Sequence, residues 1–586
     1  MQALNVFDYI KSEEIAYQKP IPLEEGWDWS MKDHLRRSFL YKNSQFEEQN
    51  QNRDLRPNKN IVLAIRNVEN RTEGFDVKDI ELYVNNADEY YKSFIVKKFH
   101  DKWALENKID TFIDELVDSY GDYGGSLVRD TASNRPEVVD LRTLAFCNQS
   151  NILAYPFAIK HSFSPSQLRE NDKWGDDTNG ATITIEELIT LCKDEKDIKV
   201  YELHGTLPSE WLNGPDDEGE IMDTQQIQVV AFYKDENKNE QGVCLFKKRM
   251  PKLPFKFISR DEIKGRALGR GGIEELFESQ QWTNWNEIKV TEMLEAASKT
   301  IHMSDDPSVA SKHPSGLKNL TNNEIIQVQE GKKGVWQMDV SARNLSLFND
   351  SLDRWNNQAQ TIGSASDAMM GDAPSSGTPF KLFEAQIMEG RGMHKFRQGQ
   401  IATFVDEIYR DWIIPHFEQE IVKDNKFLAE LSADEMQNIV DQITINQTNQ
   451  GLTQKVLAGE PIMEGEQGQM MEQGKQMFMK DNKKFFEIVK GEFAKGSLNI
   501  MTNIAGKQKN LAMLTDKLVN VMRQFISNPE IRQDPGMTKL LNVILESSGL
   551  SPIMFSPTTP PAQPMPPQTG GQPAPNLLSQ PNAGAI

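Results

Sequence analysis

Cysteine is scarce in this sequence. Its 586 residues include three, Cys147, Cys192 and Cys244, widely spaced and without a C-x-x-C pair. That spacing argues against a disulfide framework and predicts reduced thiols in a cytosolic setting. No run approaches the roughly 18 apolar residues that a membrane helix needs, so no membrane partner is expected. The opening MQALNVFDYIKSEE has acids where a signal peptide would be basic and then apolar, which predicts a non-secreted chain. The eight histidines show no H-x-x-x-H or H-E-x-x-H spacing, so no metal site is supported.

Catalytic motifs are missing too. The nearest approach to a phosphate-binding loop is Gly468 to Gly474-Lys475-Gln476, one residue too long and without its hydroxyl. Gly265, Gly269, Gly271 and Gly272 imitate a dinucleotide loop, but Glu274 stands where its last glycine belongs. These glycines are expected to let two elements approach closely. There is no G-x-S-x-G and no local signature of a cysteine nucleophile. No enzyme, cofactor or metal is expected.

Acid dominates what is present. Asp and Glu number 86 against 65 Lys and Arg, a formal net charge of −21. Such a chain repels nucleic acid globally, so any DNA relationship must be local or must exploit repulsion. The stretch from Gly265 to Met303 concentrates the pattern. Between Ile273 and Ser298 six glutamates accompany one lysine, Lys289. Ile273, Leu276, Phe277, Trp285, Ile288 and Leu294 recur near helical spacing, predicting an amphipathic helix with an apolar face inward and glutamates outward.

The rest of the chain predicts a mixed α+β, helix-rich fold. Helices are expected over Met31–Asn50 and Asp88–Tyr120, the latter stopped at Gly121. NIVLAIRNVENRTEGFDV predicts a strand turning at Glu73–Gly74, and SLVRDTASNRPEVVDLRTLAF two short strands. Ser164 or Ser166 should cap one small helix, and Thr184 with Glu187 another as a capping box. Residues 199–260 are expected to be β-rich. EIIQVQEG and GVWQMD are strand candidates within the polar segment 300–340. From Ser341 a helix presents Leu345, Phe348, Leu352, Trp355 and Ala359 on one face. A small-residue loop spans Ser364–Pro379, long enough to suggest function. A long helix follows from Phe380 to about Lys423, bent at most by Pro415. SADEMQNIV predicts a short helix, QITINQT a strand, and the Met- and Gln-rich part beyond Glu464, through LNIMTN, helices. The last residues, 549–586, have no charge and a Pro/Gln/Gly composition that predicts disorder.

Four stretches, taken in order, resemble portal proteins of tailed double-stranded DNA bacteriophages. They are LRPNKNIVLAIRNVENRTEGFDVKDIE, HDKWALENKIDTFIDELVDSYGDYGGSLVRD continuing into EVVDLRTLAF, EIKGRALGRGGIEELFESQQWTNWNE, and SASDAMMGDAPSSGTPFKLFEAQ. They cover about residues 60–425. The resemblance implies a wing over 1–270, a first stem helix over 271–299, a clip over 300–340 and a second stem helix over 341–363. It further implies a tunnel loop, long helix and remaining wing over 364–455, and a helical crown over 456–548. The implied assembly is a homo-oligomeric ring, with twelve subunits expected, at one capsid vertex. Its implied partners are major capsid protein, terminase, neck or adaptor proteins and, non-specifically, double-stranded DNA. The implied location is the virion's capsid portal vertex, after host cytoplasm during assembly.

On this resemblance Glu274, Glu278, Glu287 and Glu295 would line the channel. Ser364, Ser366, Asp367, Met369, Met370, Asp372, Ser375 and Ser376 would belong to the tunnel loop. Lys312, Lys318, Lys332 and Lys333 would meet partners at the clip. The glycines before Ile273 would form a hinge into the stem. Another virion ring component, such as a neck or adaptor protein, is the alternative, with a motor-associated ATPase behind it.

Overall fold

The computed structural model describes residues 5–45, 59–84, 90–131, 135–193, 196–213, 223–234, 239–298, 302–312, 327–332, 334–337, 345–370, 390–423, 433–463, 465–480, 487, 489–490 and 500–504. It is a mixed, helix-rich α/β structure. The N-terminal part runs α1 (Val6–Tyr17), β1 (Ile21–Glu24), β2 (Trp27–Trp29), α2 (Met31–Lys42), α3 (Val62–Glu73), β3 (Ile80–Val84), α4 (Tyr90–Glu106) and α5 (Ile109–Tyr123). Then come β4 (Gly125–Arg129), β5 (Glu137–Val139), β6 (Leu144–Phe146), β7 (Phe157–Phe163), α6 (Pro165–Arg169) and α7 (Ile185–Leu191). The β-rich part adds β8 (Ile198–Pro208), α8 (Glu210–Asn213), β9 (Asp223–Lys234), β10 (Glu240–Arg249) and β11 (Phe255–Ser259).

An antiparallel five-stranded sheet, β10-β9-β8-β7-β6, forms the centre of this part. One face packs under α1 and α2 through Phe146, Phe157, Tyr201 and Phe232. The other packs against α6 and α7 through Ile198, Val200, Val229 and Leu245. Ser164 and Thr184 both close capping boxes, with Gln167 and Glu187 respectively. A second sheet, β11-β4-β5, lies beside α5.

The second half holds α9 (Gly272–Glu275), α10 (Phe277–Ser298), β12 (His302–Met303), α11 (Pro307–Lys312), β13 (Trp336–Gln337), α12 (Leu345–Ile362) and α13 (Asp367–Met370). It closes with α14 (Gly392–Ile408), a π-helical turn over Tyr409–Ile413, α15 (Ile414–Lys423), α16 (Ala433–Leu457), α17 (Glu466–Lys480) and β14 (Ile500–Ile504). Helices α4, α5, α14 and α15 share one large apolar core that includes Phe112, Ile113, Leu116, Phe404, Ile408 and Phe417.

Several sequence expectations are corrected. Within the segment 60–77, Val62–Glu73 forms helix α3, because Val62, Ile65, Glu69 and Glu73 fall on one buried face at helical spacing. That period outweighs the β-branched content. QITINQT continues α16, with Ile439, Val440 and Ile443 buried along one helix and no breaker between them. Part of LNIMTN is strand: Ile500–Ile504 pairs antiparallel with β3, Ile500 opposite Val84. A partner so remote in sequence leaves no local signal. The expected helix over 88–120 is two, separated at Lys108, whose φ is 52°. Helix α5 passes Gly121 and stops at Gly124, whose φ of 83° suits glycine as a left-handed cap. Near Pro415 the helix takes a π-turn and then continues, which accommodates the missing proline amide without a break. Of EIIQVQEG, residues 327–330 are not strand, while GVWQMD contains β13. Residues 380–389, most of 481–548 and all of 549–586 lie outside the described residues.

Candidate functional site

Helices α10 and α12 pack against each other as a hairpin of two struts joined by the segment that carries β12, α11 and β13. The expected amphipathic arrangement holds at Ile273, Leu276 and Ile288, which are buried, and fails further along the helix. Ser279, Gln280, Thr283, Asn284, Asn286 and Ile288 are buried, whereas Trp285 and Leu294 are 45% and 49% exposed. The cause is what α10 rests on. At the start of α3 Ile61 caps nothing with its side chain, and Asn60 Oδ1 accepts from the Leu63 N–H at 3.0 Å. Gln280 Oε1 accepts from the backbone N–H of Ile61 at 2.9 Å, and Gln280 Nε2 donates to the Lys59 carbonyl at 2.7 Å. Gln280 Nε2 also donates to Asn284 Oδ1 at 2.8 Å. The strut's polar face therefore adds a cap at the start of α3, pairing the Ile61 N–H and the Lys59 carbonyl. On the other side Trp282 stacks on Trp355 at 6.0 Å and 9°, and Asn286 Nδ2 donates to Ser351 Oγ at 2.9 Å. Of the face expected on α12, Leu352 and Ala359 are buried.

The four expected channel glutamates part company. Glu278 and Glu295 are exposed and Glu287 is half-buried. Glu274 is committed inside the fold, where Arg266 donates to its two oxygens at 3.0 and 2.6 Å. Burial opposes its ionised form, yet the Arg266 bonds and the nearby His34 leave the carboxyl below the ordinary glutamate range. In this chain its charge is paired with Arg266.

The glycines ahead of α9 are a pinned junction in place of a hinge. Gly269 N donates to the Gly124 carbonyl at 2.9 Å, as does Arg260 N at 2.9 Å. A Cβ on Gly269 would collide with the Arg260 carbonyl, and one on Gly272 with Glu69 and Arg260. Close approach explains them.

Ser364 has a φ of 50°, Ser366 is exposed, and Asp367–Met370, including Met369 and Met370, form the short helix α13. Asp372, Ser375 and Ser376 lie outside the described residues. Between α10 and α12, β12 pairs with β13 through His302–Gln337 and Met303–Trp336. The buried Asp306 accepts from Ser308 N and Gln329 N at 2.8 and 2.7 Å, tying the segment together. Lys312 ends α11 and Lys332 is exposed, whereas Lys318 and Lys333 lie outside the described residues.

Sequence reasoning missed a buried charge cluster where α3, the glycine junction and α14 meet. Arg260 Nη1 lies 3.6 Å from Glu69 Oε2, and its Nη2 lies 3.7 Å from Glu73 Oε1. Arg397 reaches Glu73 at 3.5 Å, Asp261 at 2.6 Å and Glu275 at 3.5 Å. Burial pushes the Glu69 carboxyl up to about 7 against the pull of Arg260, and the charges of Glu73 and Glu275 add to the rise. Glu69 and Glu73 are four residues apart, so a helical reading of α3 would have put them on one face. Among the described residues no group of three His, Cys, Asp or Glu could hold a metal ion, and no helix is long and apolar enough to cross a membrane. Cys147 and Cys192 are buried, and burial pushes the Cys147 thiol up to about 12.

No family model matches the chain, and no curated protein matches it. Solved structures show distant similarity. A chain of a structure titled "Virion of native gene transfer agent (GTA) particle" is 8% identical, with 77% of this chain and 99% of that one covered at a TM-score of 0.31. A chain of "Neck of empty GTA particle computed with C6 symmetry" is 8% identical, with 77% and 100% covered at a TM-score of 0.36.

Proposed function

We propose that the chain is a portal protein: a non-enzymatic ring subunit at one capsid vertex, through whose channel double-stranded DNA passes. The observation that carries this reading is the strut hairpin. Two packed helices, α10 and α12, flank an insert with its own β12–β13 pairing, in the order that the portal resemblance of the sequence implies. The hairpin turns Trp282 and Trp285 toward solvent at 43% and 45% exposure, where a neighbouring copy would cover them. Exposed aromatics clustered on one element are the usual mark of an assembly face.

In the ring, Glu278, Glu287 and Glu295 would present carboxylates at or near the channel. Every copy adds the same acid excess, so the wall repels phosphate and lets the duplex slide without sticking. Residues 302–337 would meet the terminase and later the neck proteins, and the segment after Ser364 would lie nearest the DNA.

Negative-stain imaging of the purified protein tests the ring, with a symmetric particle around an open channel expected. Charge is tested separately with Glu278→Lys and Glu287→Lys. Rings should still form, and DNA content per particle should fall. Unchanged DNA content would remove the electrostatic sleeve from the reading while leaving the ring.

A further inference from the structure

A cavity of about 280 Å³ lies where the end of α4, the segment before β5 and the π-helical turn meet. That volume falls just below the roughly 300 Å³ at which small-molecule sites begin. Its walls carry two indole rings, Trp103 and Trp412, with Pro136, Ile413 and Pro415 beside them. Trp103 is 7% exposed, and its indole N–H finds no acceptor among the described residues. A buried donor left without an acceptor is costly, so it points to a group that arrives from elsewhere.

Asp411, also on the wall, asks for no cation. Its Oδ2 is 2.5 Å from Lys256 Nζ, and the same ammonium lies 5.6 Å from the centre of the Trp412 ring. An occupant therefore needs apolar rings for the indoles, an acceptor for Trp103, and no charge. Proline-rich peptide has that chemistry, because each proline brings a ring and a carbonyl acceptor while lacking an amide N–H. Its polyproline II form packs such rings into aromatic-lined grooves.

The chain carries such a segment itself. Residues 549–586 hold ten prolines and no charged side chain. Pro561, Pro564 and Pro567 recur every three residues, the repeat that puts side chains on one edge of a polyproline II helix. Strand β14, the last described element, lies against the π-helical turn that supplies Trp412. The residues between Ile504 and Pro561, at up to roughly 3.3 Å each, set no limit on reach.

We propose that the cavity between α4 and the π-helical turn seats this chain's own proline-rich tail, with Trp412 and Pro415 packing its rings and Trp103 donating to one of its carbonyls. The inference concerns the single chain and does not rest on the portal reading.

Nuclear magnetic resonance of the full chain with isotope-labelled tryptophan tests it, with Trp103→Phe assigning the Trp103 indole among the ten tryptophans. Pro561→Ala, Pro564→Ala and Pro567→Ala, combined in the full chain, leave every cavity residue in place and should shift the Trp103 indole resonance. A synthetic peptide of residues 557–569 should bind that variant and restore the resonance. Trp412→Ala, added to the tail variant, should weaken peptide binding about tenfold, the loss of one aromatic anchor. An indole resonance indifferent to the tail substitutions would overturn the proposal, and so would peptide binding that Trp412→Ala leaves unchanged. A shift that grows with protein concentration would assign the tail to another copy and overturn it as well.

Discussion

Helix α5 turns Ile109, Phe112, Ile113, Leu116, Val117 and Tyr120 inward, as a helix in a self-sufficient domain does. Helix α10 turns Ser279, Gln280, Thr283, Asn284 and Asn286 inward and leaves Trp282, Trp285 and Leu294 exposed. The two helices are held by different forces. Apolar area removed from water fixes α5 within its own chain. Directional amide bonds, added to an apolar contact of Ile273, Leu276 and Phe277 with Ile61, Val62 and Ile65, fix the root of α10 to the start of α3, and Trp282, Trp285 and Leu294 stay exposed.

The contrast predicts unequal responses to truncation. Phe112→Ala, in the core shared by α4, α5 and α14, should cost about 4 kcal/mol, from lost transfer energy and the cavity left behind. Chemical denaturation of the unassembled chain measures it. A cost below about 1 kcal/mol would erase the distinction between body and hairpin.

The second largest effect concerns the junction where body and hairpin meet. Glu69 has a folded-state value of about 7, above the ordinary 4.5. The folded chain therefore holds this proton more tightly than the unfolded chain. The associated stability is fully present below pH 4.5 and is lost as pH rises through 7, on the order of 3 kcal/mol. Glu69→Gln should flatten that part of the stability–pH profile. Persistence of the slope would assign it to other groups of the cluster.

Legibility in the sequence follows the same division. Where one element repeats its own apolar period, as in α5, or carries its own cap, as at Thr184, local residues were enough. The order of strut, insert and strut was also legible, because Gly265–Met303 and Ser341–Gly363 each have helical spacing. What stayed hidden depends on partners remote in sequence. The inward face of α10 is polar because Lys59 and Ile61 lie against it, and no composition of α10 announces that. The strand β14 needs β3, and the cluster around Glu73 needs Arg260 and His394. Misreading α3 as a strand separated Glu69 from Glu73 and concealed the site.

A smaller effect isolates the polar root. Gln280→Ala removes the acceptor for Ile61 N–H and the donor to the Lys59 carbonyl. Loss of a cap plus exposed backbone groups should cost about 2 kcal/mol. Gln280→Glu, which retains the acceptor and loses the donor, should fall between wild type and alanine. If Gln280→Leu proved neutral, apolar packing would hold this root as it holds α5, and the contrast would fail.

The smallest expected effect on the isolated chain is the most informative. Trp285 is nearly half exposed and touches Trp282, Phe348 and the Lys289 ammonium. Trp285→Ala should therefore cost the single chain about 1 kcal/mol or less, because little area is removed from water there. In an assembly the same ring would be fully covered, and buried aromatic anchors at interfaces commonly carry 2 kcal/mol or more each. Multiplied around a closed ring, that loss should shift the protein from assembled to single-chain species in analytical ultracentrifugation, with the denaturation midpoint nearly unchanged. A variant that assembles normally would show that the aromatic face serves something other than a second copy of this chain. The exposed tryptophans of the hairpin would then need a different partner to account for them.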